Sequence, residues 1–121
     1  MKIRIKGASV RRRLSKSEVA MLVSSGRVAE ETPFGHTVFR YAVQKQPKGD
    51  VLTATFANNE ITMYAPEVLI RDWDTNELVS LRAEMPLNEG SLYLLLEKDF
   101  QCIDQTDEDQ SDNYINPNKS C

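Results

Sequence analysis

Residues 3–31, "IRIKGASVRRRLSKSEVAMLVSSGRVAEE", and residues 54–84, "ATFANNEITMYAPEVLIRDWDTNELVSLRAE", read as the same series: strand, turn, strand, helix, turn, strand. In the first stretch Ile3 and Ile5 alternate with Lys2, Arg4 and Lys6, the pattern of a half-buried strand, and Gly7 breaks it. "SVRRRL" then places Val10, Arg12 and Leu14 on one face of a second strand, and Arg11 and Arg13 on the other. Ser15 and Glu18 form an S-x-x-E capping box, which satisfies orphan amides at the start of a helix. Val19, Leu22 and Val23 give that helix an apolar stripe, and Gly26 suits the left-handed residue past its end. If the echo is a repeat, it implies a pseudo-twofold, barrel-like body built from two βαβ-like halves. Identity between the halves is low, and small α+β domains echo themselves by chance. The chance reading is preferred on sequence grounds.

The rest of the chain continues the alternation. Residues 27–32 suit an edge strand, and "HTVFRYAVQ" sets Phe39, Tyr41 and Val43 opposite Val38, Arg40 and Ala42. "QPKGD" is a turn, and "VLTATFA" is expected to point Leu52, Ala54 and Phe56 inward. Asn58-Asn59 tolerates positive φ and predicts a tight hairpin into "EITMY". Pro66 at a first helical position opens a second helix, with Trp73 as an anchor on its core-facing side. "ELVSLRAEM" carries Val79, Leu81 and Ala83 on one face, and "SLYLLLEKDF" turns Leu92, Leu94 and Leu96 inward. The resulting prediction is an α+β fold, mainly antiparallel β in a small barrel or curved sheet, with two short helices at about 16–25 and 66–75. Residues 1–103 form the globular domain, and 104–121 an acidic C-terminal tail packed back onto it.

The chain has 121 residues, near the usual size of one domain, with 40% hydrophobic and 27% charged residues. No apolar run approaches the roughly 20 residues of a membrane helix. The opening "MKIRIKG" has no apolar h-region, so it is not read as a signal peptide. A cytoplasmic protein without membrane association is expected, with Cys102 and Cys121 as free thiols there and a disulfide between them only on oxidation.

The net charge of −3 conceals a polarity. Residues 1–16 hold seven Lys or Arg and no acid, whereas 97–112 hold seven acids and the single Lys98. Arg11, Arg12, Arg13 and Lys16 are the candidates for binding phosphate or nucleic acid, because guanidinium forks fit phosphate and a helix start adds positive potential. Against this, no aromatic residues interleave with them for base stacking, and the pI is near 5.2. A solvated strand edge whose charges deter aggregation is preferred.

Metal and nucleophile readings are weaker. His36, Cys102 and Cys121 are the candidate ligands, yet no local C-x-x-C or H-x-x-H spacing supports zinc. A calcium loop begun at Asp107 fails, with Asp112 in place of glycine and Asn118 in place of the final acid. Cys102 with His36 lacks any flanking nucleophile motif, and the five glycines are scattered, so no phosphate loop exists.

Two resemblances bear on these readings. The segment 61–84, "ITMYAPEVLIRDWDTNELVSLRAE", resembles the strand–proline–helix–turn–strand unit of swapped-hairpin transition-state-regulator domains, which bind DNA as dimers. Their cationic DNA surface is not matched in this acid-rich segment. The opening "KIRIKGASVRRRLSKSEV" and the closing "EKDFQCIDQTDEDQSDNYINP" together resemble a small bacterial family catalogued as a domain of unknown function. That resemblance brings no activity and implies that the acidic end belongs to the domain. Phe100, Cys102, Ile103, Tyr114, Ile115 and Pro117 would anchor it there, as a clasp over the basic strands. The expected role is a non-enzymatic binding or interaction protein, monomer or homodimer, without cofactor. Its partner is a protein or small ligand, with nucleic acid the alternative and a metal-dependent or thiol enzyme the second alternative.

Overall fold

Why does a chain with this echo need two sheets rather than one? A computed structural model describes residues 1–100. The elements are β1 (Lys2–Ile5), β2 (Ser9–Leu14), α1 (Lys16–Ser25), β3 (Arg27–Pro33), β4 (Val38–Gln46), β5 (Thr53–Ala57), β6 (Glu60–Pro66), α2 (Glu67–Ile70), β7 (Ser80–Pro86) and β8 (Ser91–Lys98). They form one sheet in the order β1-β2-β8-β7 and another in the order β3-β4-β6-β5. In each, two antiparallel hairpins meet along a central parallel seam, β2 with β8 and β4 with β6. Each half of the chain gives one hairpin to each sheet. Replacing β1, β2, β3 and β4 by β5, β6, β7 and β8, and conversely, turns one sheet order into the other.

The correspondence holds residue by residue. Ile3 faces Arg12 in the first hairpin as Ala54 faces Met63, 51 positions later. Val28 faces Val43 as Leu81 faces Leu96, 53 positions later. Across the seams, Arg12 lies beside Leu96 as Met63 lies beside Val43. It reaches side chains too. Lys45 donates its amide to Gly26 O (2.8 Å) and its ammonium to Val23 O (2.8 Å). Lys98 does the same to Val79 O (2.9 Å) and Asn76 O (2.7 Å). The echo is therefore a structural repeat, and the chance reading is set aside. The body is not a closed barrel: both sheets end in edge strands, and the core lies between the sheets.

Helix α1 follows the predicted span, with Ser15 Oγ accepting from the Glu18 amide (3.4 Å) and the Ser15 amide donating to Glu18 Oε1 (2.8 Å). Val19 and Leu22 are buried, and Gly26 (φ 87°) closes the helix by donating to Leu22 O. The second helix is shorter than expected. It ends at Ile70, because Arg71 is extended and Asp72 is left-handed (φ 60°). Residues 71–76 form a turn held by amides of Thr75 and Asn76 on Asp72 O. Trp73 is fully buried from this turn, with its indole N–H on Leu78 O (2.8 Å). That bond needs a chain reversal that a helix to residue 75 would forbid.

Asn58 and Asn59 have φ of 53° and 62°, as a tight hairpin turn requires. Leu52 and Ala54 are buried as expected, but Phe56 is 70% exposed. It occupies the last inward position of an edge strand, where the opposing sheet no longer covers it, and Ile5 at the equivalent place is also exposed. The core joins Val10, Leu14, Leu94 and Leu96 of one sheet to Val28, Val43 and Met63 of the other. Among the described residues, no helix is long and apolar enough to cross a membrane.

Candidate functional site: a cationic cleft on the first hairpin

Strand alternation divides the basic N-terminal residues between two environments. On the outer face of the first hairpin, Lys2 lies directly opposite Arg13, and Arg4 opposite Arg11. Like charges so placed oppose pairing by roughly 0.2–1 kcal/mol each. Together with Ile3, these four cations line a shallow cleft of about 200 Å³. Among the described residues, no aromatic side chain lines it.

Two carboxylates reach this face from the end of β8. Glu97 sits beside Arg13 in the parallel register, and its Oε1 accepts from Arg13 Nε (2.6 Å) and Arg11 Nε (2.8 Å). Burial alone would raise the Glu97 carboxyl, but the hydrogen bonds and charges of Arg11 and Arg13 outweigh it and hold the group below its usual range. Asp99 pairs with Lys2 at 3.0 Å, and its amide donates to Leu14 O (2.8 Å). These are the first two of the seven acids in 97–112.

Arg12 faces the other way. It is fully buried between the sheets, donating from Nη2 to Ile61 O (2.9 Å), with Nη1 3.8 Å from Met1 Sδ. Its guanidinium carbon stands 5.4 Å from the Tyr41 ring centre, a cation–π distance, and Nε has no hydrogen-bond partner among the described residues. Burial pushes Arg12 down to about 10, partly opposed by its electrostatic interaction with Tyr41, so it remains cationic at neutral pH. The Tyr41 hydroxyl donates to Glu30 (3.0 Å), and the Met1 amine pairs with Glu18 (2.6 Å) and Glu30 (3.4 Å). Desolvation would lower that amine, but the two carboxylates raise it on balance.

Of the four anion-binding candidates, then, Arg11 and Arg13 share the cleft, Arg12 is in the core, and Lys16 begins α1 outside the residues that line it. Lys2 and Arg4 also line the cleft, on the outward face that their alternation with Ile3 and Ile5 had marked as part of the same basic stripe. Glu97 was missed because its partner strand is fixed by a seam between distant parts of the chain. His36 is exposed in the turn between β3 and β4, and Cys102 and Cys121 lie outside the described residues. Among the described residues no three His, Cys, Asp or Glu side chains gather as metal ligands. The proposed packing of 104–121 also lies outside them.

No curated protein matches this chain, and no solved structure does. The likeness of residues 61–84 to swapped-hairpin domains therefore rests on sequence pattern alone, and no property of those domains is carried over. One family model matches residues 1–118, nearly the whole sequence and both terminal motifs. The chain belongs to that family, described as "Family of unknown function (DUF7009)".

Proposed function

We propose that this protein is a non-enzymatic binding module that takes an acidic protein segment in the Lys2–Arg4–Arg11–Arg13 cleft. One observation carries the reading: Arg11 and Arg13 already direct both Nε donors at a single carboxylate oxygen of Glu97. The geometry of the face is that of carboxylate recognition, with charge-assisted bonds stronger than neutral ones. A continuous phosphate backbone suits it less well. Glu97 and Asp99 stand on the same face and would repel evenly spaced phosphates, whereas a peptide can stagger its acids around them. None of the described lining residues is aromatic, which disfavours base stacking as a source of affinity.

The test is fluorescence anisotropy of the full chain with a labelled glutamate-rich peptide and, separately, a labelled DNA duplex. Peptide binding that weakens as salt shortens the screening length, and that falls about tenfold in Lys2→Gln/Arg4→Gln, is expected. Absence of peptide binding at low salt, or preference for the duplex, overturns the reading.

A further inference from the structure

The geometry points to a second recognition site, separate from the cationic cleft: the outer face of the second hairpin, which takes a neutral, hydroxyl-rich ligand, a saccharide of one or two rings. The repeat locates it. On the first hairpin Lys2 faces Arg13 and Arg4 faces Arg11, and 51 positions later Thr53 faces Tyr64 and Thr55 faces Thr62. Glu97 lies beside Arg13 across one seam, and Gln44 lies beside Tyr64 across the other. The second hairpin carries a cleft of its own here, of about 280 Å³, whose lining includes Arg40, Thr55, Asn58, Glu60, Thr62 and Tyr64. That volume is close to the lower end of the roughly 300–1,000 Å³ of small-molecule sites. Equivalent places in the two halves thus hold clefts of different chemistry.

Electrostatics select the ligand. Both charged side chains in this lining are compensated by residues outside it. Glu60 Oε1 accepts from Arg27 Nη2 (2.9 Å), and Arg40 Nε donates to Glu31 Oε2 (3.3 Å). A charged ligand therefore gains little net field, unlike one at the four cations of the first hairpin. What remains is hydrogen-bonding capacity in both senses. The buried Thr62 donates its hydroxyl to Glu60 Oε2 (2.9 Å), which helps hold the carboxylate in place. An ionised carboxylate offers about four acceptor sites and a guanidinium five donors, so both groups keep capacity for the neighbouring hydroxyls of a sugar. The Arg40 amide donates to Asn59 O (2.8 Å), which fixes the turn bearing Asn58 against β4. Tyr64 stands four residues from Glu60 on β6, about 13 Å along the strand, and supplies an aromatic surface for the C–H face of a sugar ring.

Saturation-transfer NMR of the full chain with methyl α-glucoside, methyl β-galactoside, cellobiose and chitobiose tests the site, and backbone amide shifts place the contact. At least one of these sugars should receive saturation and shift the amides of Thr55, Asn58, Thr62 and Tyr64, leaving those of Arg4 and Arg11 in place. Added salt should not change the affinity, because the ligand carries no charge to screen. Tyr64→Ala should weaken binding about tenfold, and Thr55→Val several-fold. Thr55 is exposed on an edge strand, so its variant keeps the test open should Tyr64→Ala fail to fold. Saturation of none of these sugars at tens of millimolar overturns the inference. So do amide shifts confined to the first hairpin, affinity that falls with salt, or full affinity in the folded variants. Each such result leaves the carboxylate-binding reading intact, since the glutamate-rich peptide reports on the other cleft.

Discussion

Arg12 on β2 and Met63 on β6 occupy equivalent positions in the two halves, and each is fully buried. The fold thus holds a long apolar side chain at one place and, at its mate, a cation whose Nε has no hydrogen-bond partner among the described residues. Buried charges with no carboxylate partner are costly, and well-packed apolar replacements of similar length are often neutral or stabilising.

Arg12→Met also gives up the bond to Ile61 O but fills the space and removes the buried charge, so it should fold with stability within about 1–2 kcal/mol of the parent. Arg12→Ala should lose about 2–5 kcal/mol, since it leaves a cavity between the sheets and strands Ile61 O. Urea midpoints with unchanged slopes measure both. A Met variant as unstable as the Ala variant would show that the guanidinium is essential to the core.

Glu97 makes a pH prediction. Its folded pKa is depressed by Arg11 and Arg13, so the unfolded chain binds more protons there as acid is added. The stability it supplies is complete above the unfolded carboxyl value of about 4.3, and is lost as pH falls through the lower folded value. Glu97→Gln should cost about 1–3 kcal/mol at neutral pH and flatten the acid limb of the stability curve. An unchanged acid limb would contradict the geometry at Oε1.

Gly26 ends α1 at φ 87°, and a Cβ there would meet Lys45 Cε only at 3.6 Å, an ordinary contact. Space does not forbid alanine, but the backbone does. Gly26→Ala should destabilise by about 1–2 kcal/mol, and a neutral result by thermal melting would show that α1 can end differently.

Trp73 is the sole tryptophan and is fully buried, so its emission should be blue-shifted when folded and move to the red on unfolding. Trp73→Phe removes the donor to Leu78 O and should cost about 1–3 kcal/mol by urea titration, with circular dichroism as the probe. A native spectrum already red-shifted would place the indole in water.

Local pattern made much of this legible. The capping box and Gly26 bounded α1, and the paired asparagines marked their turn, because these signals act within a few residues. Alternation even placed Arg12 with Val10 and Leu14, on the side that proves buried. Grouping it with Arg11 and Arg13 followed the run of like letters instead of the period of two. The shortened second helix depended on Asp72, which has no local mark of its left-handed conformation. The two sheets were illegible for a different reason. Their seams join β2 to β8 and β4 to β6, and no short-range rule selects a partner strand.

Those seams also order the events of synthesis. The sheet β3-β4-β6-β5 has all its strands once Pro66 has been made, while β2 must wait for residues 93–98 before its second edge is satisfied. Until then the nascent chain presents an unzipped hairpin, with Val10 and Leu14 lacking the leucines that later cover them. Such high contact order slows folding and prolongs exposure to aggregation, a hazard that the arginines flanking those residues are well placed to blunt on the ribosome.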